Sequence, residues 1–349
     1  MRLQILSLLA ILLMTAHSTW AMTDDDIYQA DVPVASQSDQ EKERVLPMAL
    51  TEVLVKASGN AHVLDNPKLQ SGLVKASKLA QEFSYVLPTT SNAAIPYLLR
   101  VRFDADGVDT LLDNADIPVW EINRPVVLAW MEYEAPHQPT QVINSAISSQ
   151  IQTLLQDNAR RRGLPIILPM MDVTDINLVS SNDIVNMNEL VLINAGKRYA
   201  SDAILIVRVL QQKSDYAIEA KLVMGKEQWG WKFTVNSLAD AMTNLIDNVT
   251  NTMVGRYAVT TSKSTQITLS LTVTNVKQQG DFSALMQYLQ SIASVIEVQP
   301  VKVTDTSVLL TLNLRGTKDA FVRLLETGQH LIPDATPTTD ASLAYKWNP

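Results

Sequence analysis

Apolar strands alternate with amphipathic helices through the middle of the chain, and this pattern restricts the folds open to it. Residues 126–131 and 203–210 are near-continuous apolar runs, as expected for strands buried on both faces. Residues 119–257 therefore predict a layered α/β module with the element order β-α-β-α-β-β-β-α. Its first helix is predicted over residues 140–161, where Ile147 lies on an apolar stripe at helical spacing.

Smaller modules are predicted on either side of this one. Residues 22–118 contain a helix that starts at a capping box formed by Ser38 and Glu41, and a second helix over residues 67–81. Residues 258–349 begin with a Thr/Ser-rich linker and have the order β-α-β-β-α, and a late apolar alternation favours a last edge strand. A chain of 349 residues suggests two or three domains, so the predicted fold class is α/β and α+β in layered modules.

The first 21 residues have the layout of a secretory signal peptide. Arg2 precedes an apolar run over residues 3–14, and a small-x-small site ends at Ala21. The alternative is an uncleaved membrane anchor, but an apolar run of about 12 residues is shorter than the roughly 20 that span a bilayer. We therefore expect cleavage near Ala21, no transmembrane segment afterwards, and a protein exported to a bacterial periplasm.

Composition excludes several kinds of site. The chain has no cysteine, which rules out disulfides, a thiol nucleophile and a thiolate zinc site. A net charge of −8 argues against nucleic acid as a partner. Asp172 and Asp175 are interpreted as a helix cap or turn, and no Gly-rich phosphate loop is present. We therefore expect no metal and no cofactor.

The sequence also points to no catalytic residues. His62, His137 and His330 lie in predicted loops or helix ends, and no serine has the surroundings of a known nucleophile. One enzymatic alternative stays open at this point. A hydrolase of envelope glycan or peptide would use carboxylates across a cleft, with Glu132 or Asp172 as candidates.

Five residues are candidates for binding a partner: Arg160, Arg161, Arg162, Trp229 and Trp231. The arginines have a structural interpretation as cations at a helix C-terminus before a glycine cap, and a functional one as a patch for an anionic partner. The tryptophans lie on one face of a predicted strand, where they either pack or anchor a ligand. A cell-wall fragment or another small molecule is therefore a further alternative as ligand.

Several stretches carry a resemblance to a known family. They read ALTEVLVKASGN, IPVWEINRPVVLAW, ARRRGLPIILPMMD, RYASDAILIVRV and GRYAV. In residues 27–259 the chain resembles an uncharacterised proteobacterial envelope family, catalogued only as domain of unknown function 2066. The element order of residues 119–257 also resembles a module of the Tol-system propeller protein (its N-terminal domain), the curli secretion protein and the flagellar H-ring protein.

The resemblance implies a docking or assembly role, because none of these related domains is known as a catalyst. The leading hypothesis is a non-enzymatic, exported envelope protein that binds one or more protein partners. The carboxylate hydrolase and the small-molecule binder are the alternatives.

Overall fold

The computed structural model describes residues 27–87, 96–120, 124–147, 149–257, 266–292, 294–304, 306–315, 317–327, 330–334 and 342–348. Three sheets with packed helices follow one another along the chain, which confirms the mixed α/β and α+β class in layered modules. The predicted signal peptide and the predicted linker lie outside the described residues. The exact domain boundaries stay a prediction.

The first sheet is antiparallel and has the strand order β1-β3-β2. Its strands are β1 (Gln29–Val34), β2 (Ala80–Val86) and β3 (Tyr97–Phe103). The helices of this segment are α1 (Asp39–Ser58), α2 (Pro67–Gly72), α3 (Ala76–Leu79) and α4 (Ala105–Asn114), with a 3₁₀ turn at Val63–Asp65 and another at Leu73–Lys75. Leu50 and Leu54 of α1 are fully buried in a core that this segment forms with its own sheet.

The capping box is present only in part. The Ser38 hydroxyl accepts a hydrogen bond from the Glu41 N–H at 3.3 Å, as predicted. The Glu41 carboxylate accepts from the Ala35 N–H instead of the Ser38 N–H, because the Ser38 N–H already donates to the Ser36 hydroxyl.

The helix predicted over residues 67–81 is broken by the 3₁₀ turn and ends at Leu79. The reason is tertiary pairing, since the Leu79 carbonyl accepts from the Asp104 N–H at 2.8 Å and Ala80 pairs with Phe103 of β3.

The middle sheet has the order β5-β4-β7-β8-β9, with β6 also paired to β4. Its strands are β4 (Val127–Glu134), β5 (Gln141–Ile143), β6 (Ile166–Ile167), β7 (Ala203–Gln212), β8 (Asp215–Met224) and β9 (Glu227–Val235). The helices are α5 (Gln150–Arg162), α6 (Val173–Leu178), α7 (Ser181–Val185), α8 (Glu189–Gly196) and α9 (Leu238–Tyr257), with a 3₁₀ turn at Lys197–Tyr199. Helices α5 and α9 cover one face, and α7 and α8 pack on the other.

The first helix of this segment begins ten residues later than predicted, at Gln150 rather than residue 140. The Asn144 side chain accepts hydrogen bonds from the N–H groups of Ala146 and Ile147, both at 3.0 Å, and this turn separates β5 from α5. Ile147 is 67% exposed, so its assignment to an apolar helix stripe is wrong. Strand β5 and the division into short helices are additions to the predicted order.

The third sheet has the order β11-β12-β10-β14-β13. Its strands are β10 (Gln266–Thr274), β11 (Val295–Val303), β12 (Ser307–Arg315), β13 (Leu331–Pro333) and β14 (Ser342–Trp347), and its helices are α10 (Gln279–Ser291) and α11 (Lys318–Thr327). The predicted last strand is present as β14, but it lies between β10 and β13 rather than at the edge. One apolar cluster runs from the middle sheet into this segment.

No helix in the described part of the chain combines the length and the apolar character needed to cross a bilayer.

Candidate functional site

A shallow groove lies between the last strand of the middle sheet and its longest helix. It has a volume of about 550 Å³ and is open to solvent. Seven residues line it: Gly230, Trp231, Lys232 and Phe233 of β9, and Asn244, Asp247 and Asn248 of α9. We call it the β9–α9 groove. It includes Trp231, one of the two tryptophans predicted as candidates for binding a partner.

Among the strands that the structure describes, β9 forms an outer edge, because it pairs with β8 and with no further strand. The other sheet edges are short or interrupted. Strands β5, β6 and β13 have three residues or fewer, β1 contains Pro33, β2 has a register shift, and β11 has two register shifts and Pro300. Proteins protect edge strands from pairing with other chains by such devices. Strand β9 pairs through all nine of its residues with neither a register shift nor a proline.

The side chains of β9 alternate between the two faces of the sheet. Trp229, Trp231 and Phe233 are partly buried and pack against the main core, whereas Lys232 faces the other side and is exposed. The Lys232 ammonium bonds to the Glu219 carboxylate of β8 at 2.5 Å. Both tryptophans therefore share one face, as predicted, and the structure places Trp231 in the groove while Trp229 packs beside it.

The wall on α9 has little net charge. Asn244 and Asn248 are uncharged amides, and Asp247 is bound by two arginines. Arg161 lies 3.2 Å from the Asp247 carboxylate, and Arg162 donates a short hydrogen bond to the same oxygen. The groove thus offers aromatic surface and hydrogen-bonding amides rather than an unpaired charge.

The three predicted arginines lie in different surroundings at the C-terminus of α5. Arg160 is exposed and pairs with Asp157 at 2.9 Å. Arg161 is half-exposed and contacts Asp247 from the solvent-exposed side. Arg162 is fully buried and donates within the chain, to Asp247, to Asn251 and to the Gly59 carbonyl. Burial lowers the pKa of Arg162, and the Asp247 charge opposes that shift. Gly163 ends the helix with a φ of 62°, as the structural interpretation of the run requires.

A second buried arginine supports the same region. Arg124 is 5% exposed and donates to the carbonyls of Gly163, Lys56 and Trp120 at 2.6, 2.8 and 2.8 Å. Its guanidinium also lies 4.3 Å from the centre of the Trp120 ring. Burial lowers the pKa of Arg124 to about 9. Arg124 and Arg162 therefore join the end of α1 in the first segment to α5 and α9 behind the groove.

Glu132, one of the two carboxylates of the hydrolase alternative, lies inside the middle segment. It is 3% exposed, and one of its oxygens accepts a hydrogen bond from the Ser181 hydroxyl at 2.8 Å. The other oxygen is buried and makes no hydrogen bond to a described residue. Burial raises the pKa of Glu132, while the Ser181 hydrogen bond and the nearby Arg208 charge oppose the shift.

Asp172, the other carboxylate, is engaged in holding a loop. It caps α6 by accepting from the Asp175 N–H at 3.0 Å, as predicted, and both of its oxygens accept from Arg198 at 2.7 Å. Arg198 holds the pKa of Asp172 well below its usual range. Asp175 is buried and accepts from Arg198, Tyr199 and the Met171 N–H. In the described part of the chain no hydrogen bond or ion pair links Glu132 with Asp172.

His62, His137 and His330 are exposed and lie outside the helices and strands. His330 contacts the rings of Tyr288 and Trp347, with ring centres 5.0 and 5.7 Å away. Within the described ranges, no group of three or more His, Cys, Asp or Glu side chains is placed to hold a metal ion.

The sequence did not indicate the groove as a whole. The free edge of β9 and the amide wall of α9 were missed, because the order of strands in a sheet depends on contacts between distant residues. No local signal marks this edge, because the segment EQWGWKFTV is long, alternating and free of proline, as a central strand would also be.

Comparison with known proteins gives one partial match. Residues 21–121 match the model of a family described as a domain of unknown function, DUF8605. A search of curated proteins and a search of solved structures found no match. The resemblance to domain of unknown function 2066 is therefore wrong, and no solved structure supports the likeness to the Tol-propeller module. The likeness to the Tol-propeller module rested on element order alone. Apolar strands that alternate with helices are common to layered α/β domains in general, so this order is not specific.

Proposed function

We propose that this chain is a non-enzymatic, exported protein that binds a protein partner through the β9–α9 groove. The observation that carries the proposal is the outer edge of β9, which has nine residues and lacks the interruptions of the other long edges. An exposed and uninterrupted edge strand can pair with a strand of another chain. The same pairing leads to aggregation when it is not restricted to a specific partner. Export rests on the pattern of residues 1–21.

The chemistry of the groove supports binding rather than catalysis. Its ionisable residues, Lys232 and Asp247, are both held in ion pairs. Trp231 and Phe233 supply partly buried aromatic surface of the kind that anchors protein interfaces. The buried contacts of Arg124 and Arg162 fix the helices behind the groove, which lowers the cost of ordering the surface on binding.

Site-specific photo-crosslinking tests the proposal. A photoreactive amino acid replaces Lys232 or Thr234 on the outer edge strand β9. As controls, it replaces Val74 or Leu190, which are 81% and 83% exposed elsewhere in the chain. Cells that express each variant are irradiated, the crosslinked protein is identified, and it is then purified and titrated into the pure chain by calorimetry.

We expect the same protein to be captured at positions 232 and 234, to be absent at both controls, and to bind the pure chain saturably. Identical capture at all four positions, or no binding by the purified candidate, would contradict the proposed function.

A further inference from the structure

The backbone of β9 presents an alternating set of free hydrogen-bonding groups. Strands β8 and β9 are joined by a two-residue turn, in which Gly225 has a φ of 57° and Met224 pairs with Glu227. In such hairpins the residues that flank the turn exchange both backbone hydrogen bonds, and every second residue repeats this pattern. The N–H and C=O groups that point away from β8 are therefore those of Gln228, Gly230, Lys232 and Thr234.

We propose that the partner supplies one extended strand, which pairs with this outer edge of β9 and continues the middle sheet. This inference rests on the proposed function and states how the groove is occupied. The four outward residues make no backbone hydrogen bond to another element in the described ranges. An added strand would satisfy these groups and bring its own side chains alternately over the groove and over the opposite face.

The groove also sets the kind of side chain that the strand presents. On the α9 side its side chains meet Trp231, Phe233 and the amides of Asn244 and Asn248. Because Arg161 and Arg162 already bind Asp247, this side favours uncharged residues that are apolar or small. On the opposite face the strand runs beside Lys232 and is open to solvent, which suits polar residues. The occupant is thus an extended segment with alternating uncharged and polar side chains.

A second copy of the chain is the other occupant that such an edge can take. Two-fold pairing of β9 with itself would bring α9 of both copies to the same face of the sheet, side by side. A dimer formed in this way is therefore one of the outcomes that would contradict the proposal.

The test uses the full-length chain and an immobilised array of nonapeptides. In the probe set, Val, Leu, Tyr or Ser alternate with Thr, Lys or Glu, and the control set has the same compositions in an order without alternation. The tightest peptide is then studied in solution by amide hydrogen exchange and by titration against wild type, Lys232→Pro and Lys232→Ala. Proline is tolerated at an outward position of an edge strand, but it removes the N–H and blocks an approaching strand.

We expect the alternating peptides to bind preferentially. Bound peptide should slow exchange at the amides of Gln228, Gly230, Lys232 and Thr234 by about tenfold or more, whereas the amides of Trp229 and Trp231 are slow already. Lys232→Pro should weaken binding by at least about tenfold, and Lys232→Ala by less than about threefold.

Absence of peptide binding, equal affinity for Lys232→Pro and Lys232→Ala, or protection without the alternation would overturn the strand-pairing proposal. So would a dimer that Lys232→Pro dissociates in the absence of peptide. If Lys232→Pro does not fold, the exchange pattern in the wild type decides alone. A partner that crosslinks at the groove yet binds Lys232→Pro normally would leave the proposed function standing and refute only this inference.

Discussion

Arg162 donates a hydrogen bond of 2.6 Å to the backbone carbonyl of Gly59, which lies 103 positions earlier in the chain. The same fully buried guanidinium bonds to Asp247 and Asn251 of α9. One side chain therefore joins the end of α1, the end of α5 and the wall of the β9–α9 groove. The first segment supports the candidate binding surface without lining it.

Replacing Arg162 should destabilise the chain much more than replacing its neighbour in the arginine run. Arg162→Met keeps an apolar stem but leaves the buried Gly59 carbonyl without its side-chain donor and leaves Asp247 bound by Arg161 alone, at a cost of about 2–4 kcal/mol in the free energy of unfolding. Arg160→Met is the matched control, because Arg160 is 66% exposed, and its cost should stay within about 0.5 kcal/mol. Denaturant unfolding of both variants measures the difference. Equal midpoints would show that Arg162 does not join the segments energetically.

Gly59 should resist substitution because of both its backbone and its neighbours. Its φ is 62°, and an added Cβ would lie 2.7 Å from the Trp120 ring and closer still to Val254. We expect Gly59→Ala to cost about 2–4 kcal/mol of unfolding free energy, as the sum of backbone strain and overpacking. Gly225→Ala is the control, since Gly225 has a φ of 57° with nothing within 4 Å of an added Cβ. Its cost should be the strain alone, about 1 kcal/mol. Thermal melts of the two variants that coincide would rule out the close contact at Gly59.

Glu132 should make the stability of the fold depend on pH. Burial raises the pKa of Glu132 in the folded chain above the ordinary value of 4.5. The folded chain therefore keeps the carboxyl group protonated over a pH range in which the unfolded chain has lost the proton. Wild-type stability due to this group therefore falls as the pH rises from 4.5 to the raised pKa, by at most about 1.4 kcal/mol per pH unit. Glu132→Gln removes this titration. The free energy of unfolding of the variant relative to wild type should therefore increase across that pH range and stay constant above it.

Unfolding curves of Glu132→Gln and wild type at several pH values measure this difference. Gln228→Ala, which changes an exposed and uncharged side chain, serves as control and should give a difference that does not vary with pH. A pH-independent difference for Glu132→Gln as well would refute the role assigned to burial of the carboxyl group.

The elements of the middle segment were predictable where local signals define them. The apolar runs at residues 126–131 and 203–210 overlap β4 and β7, and the three strands and the helix that end the predicted order are present as β7, β8, β9 and α9. Each rests on periodicity or turn chemistry within a short window.

The binding surface was less predictable, because it depends on contacts between residues far apart in sequence. Nothing local to β9 shows that it ends the sheet, and nothing local to Arg162 distinguishes it from Arg160, although one is buried and the other is 66% exposed. Strand β5 was missed for a similar reason. Its three residues pair with β4, and the Asn144 turn ends the strand directly after them.

Pairing of a partner strand with the outer edge of β9 can be tested by comparing two dissociation constants. The partner captured by crosslinking at position 232 or 234 is titrated by calorimetry into the folded Lys232→Pro and Lys232→Ala chains. We expect at least about tenfold weaker binding by Lys232→Pro and a change of less than about threefold for Lys232→Ala. Equal dissociation constants for the two variants would contradict it.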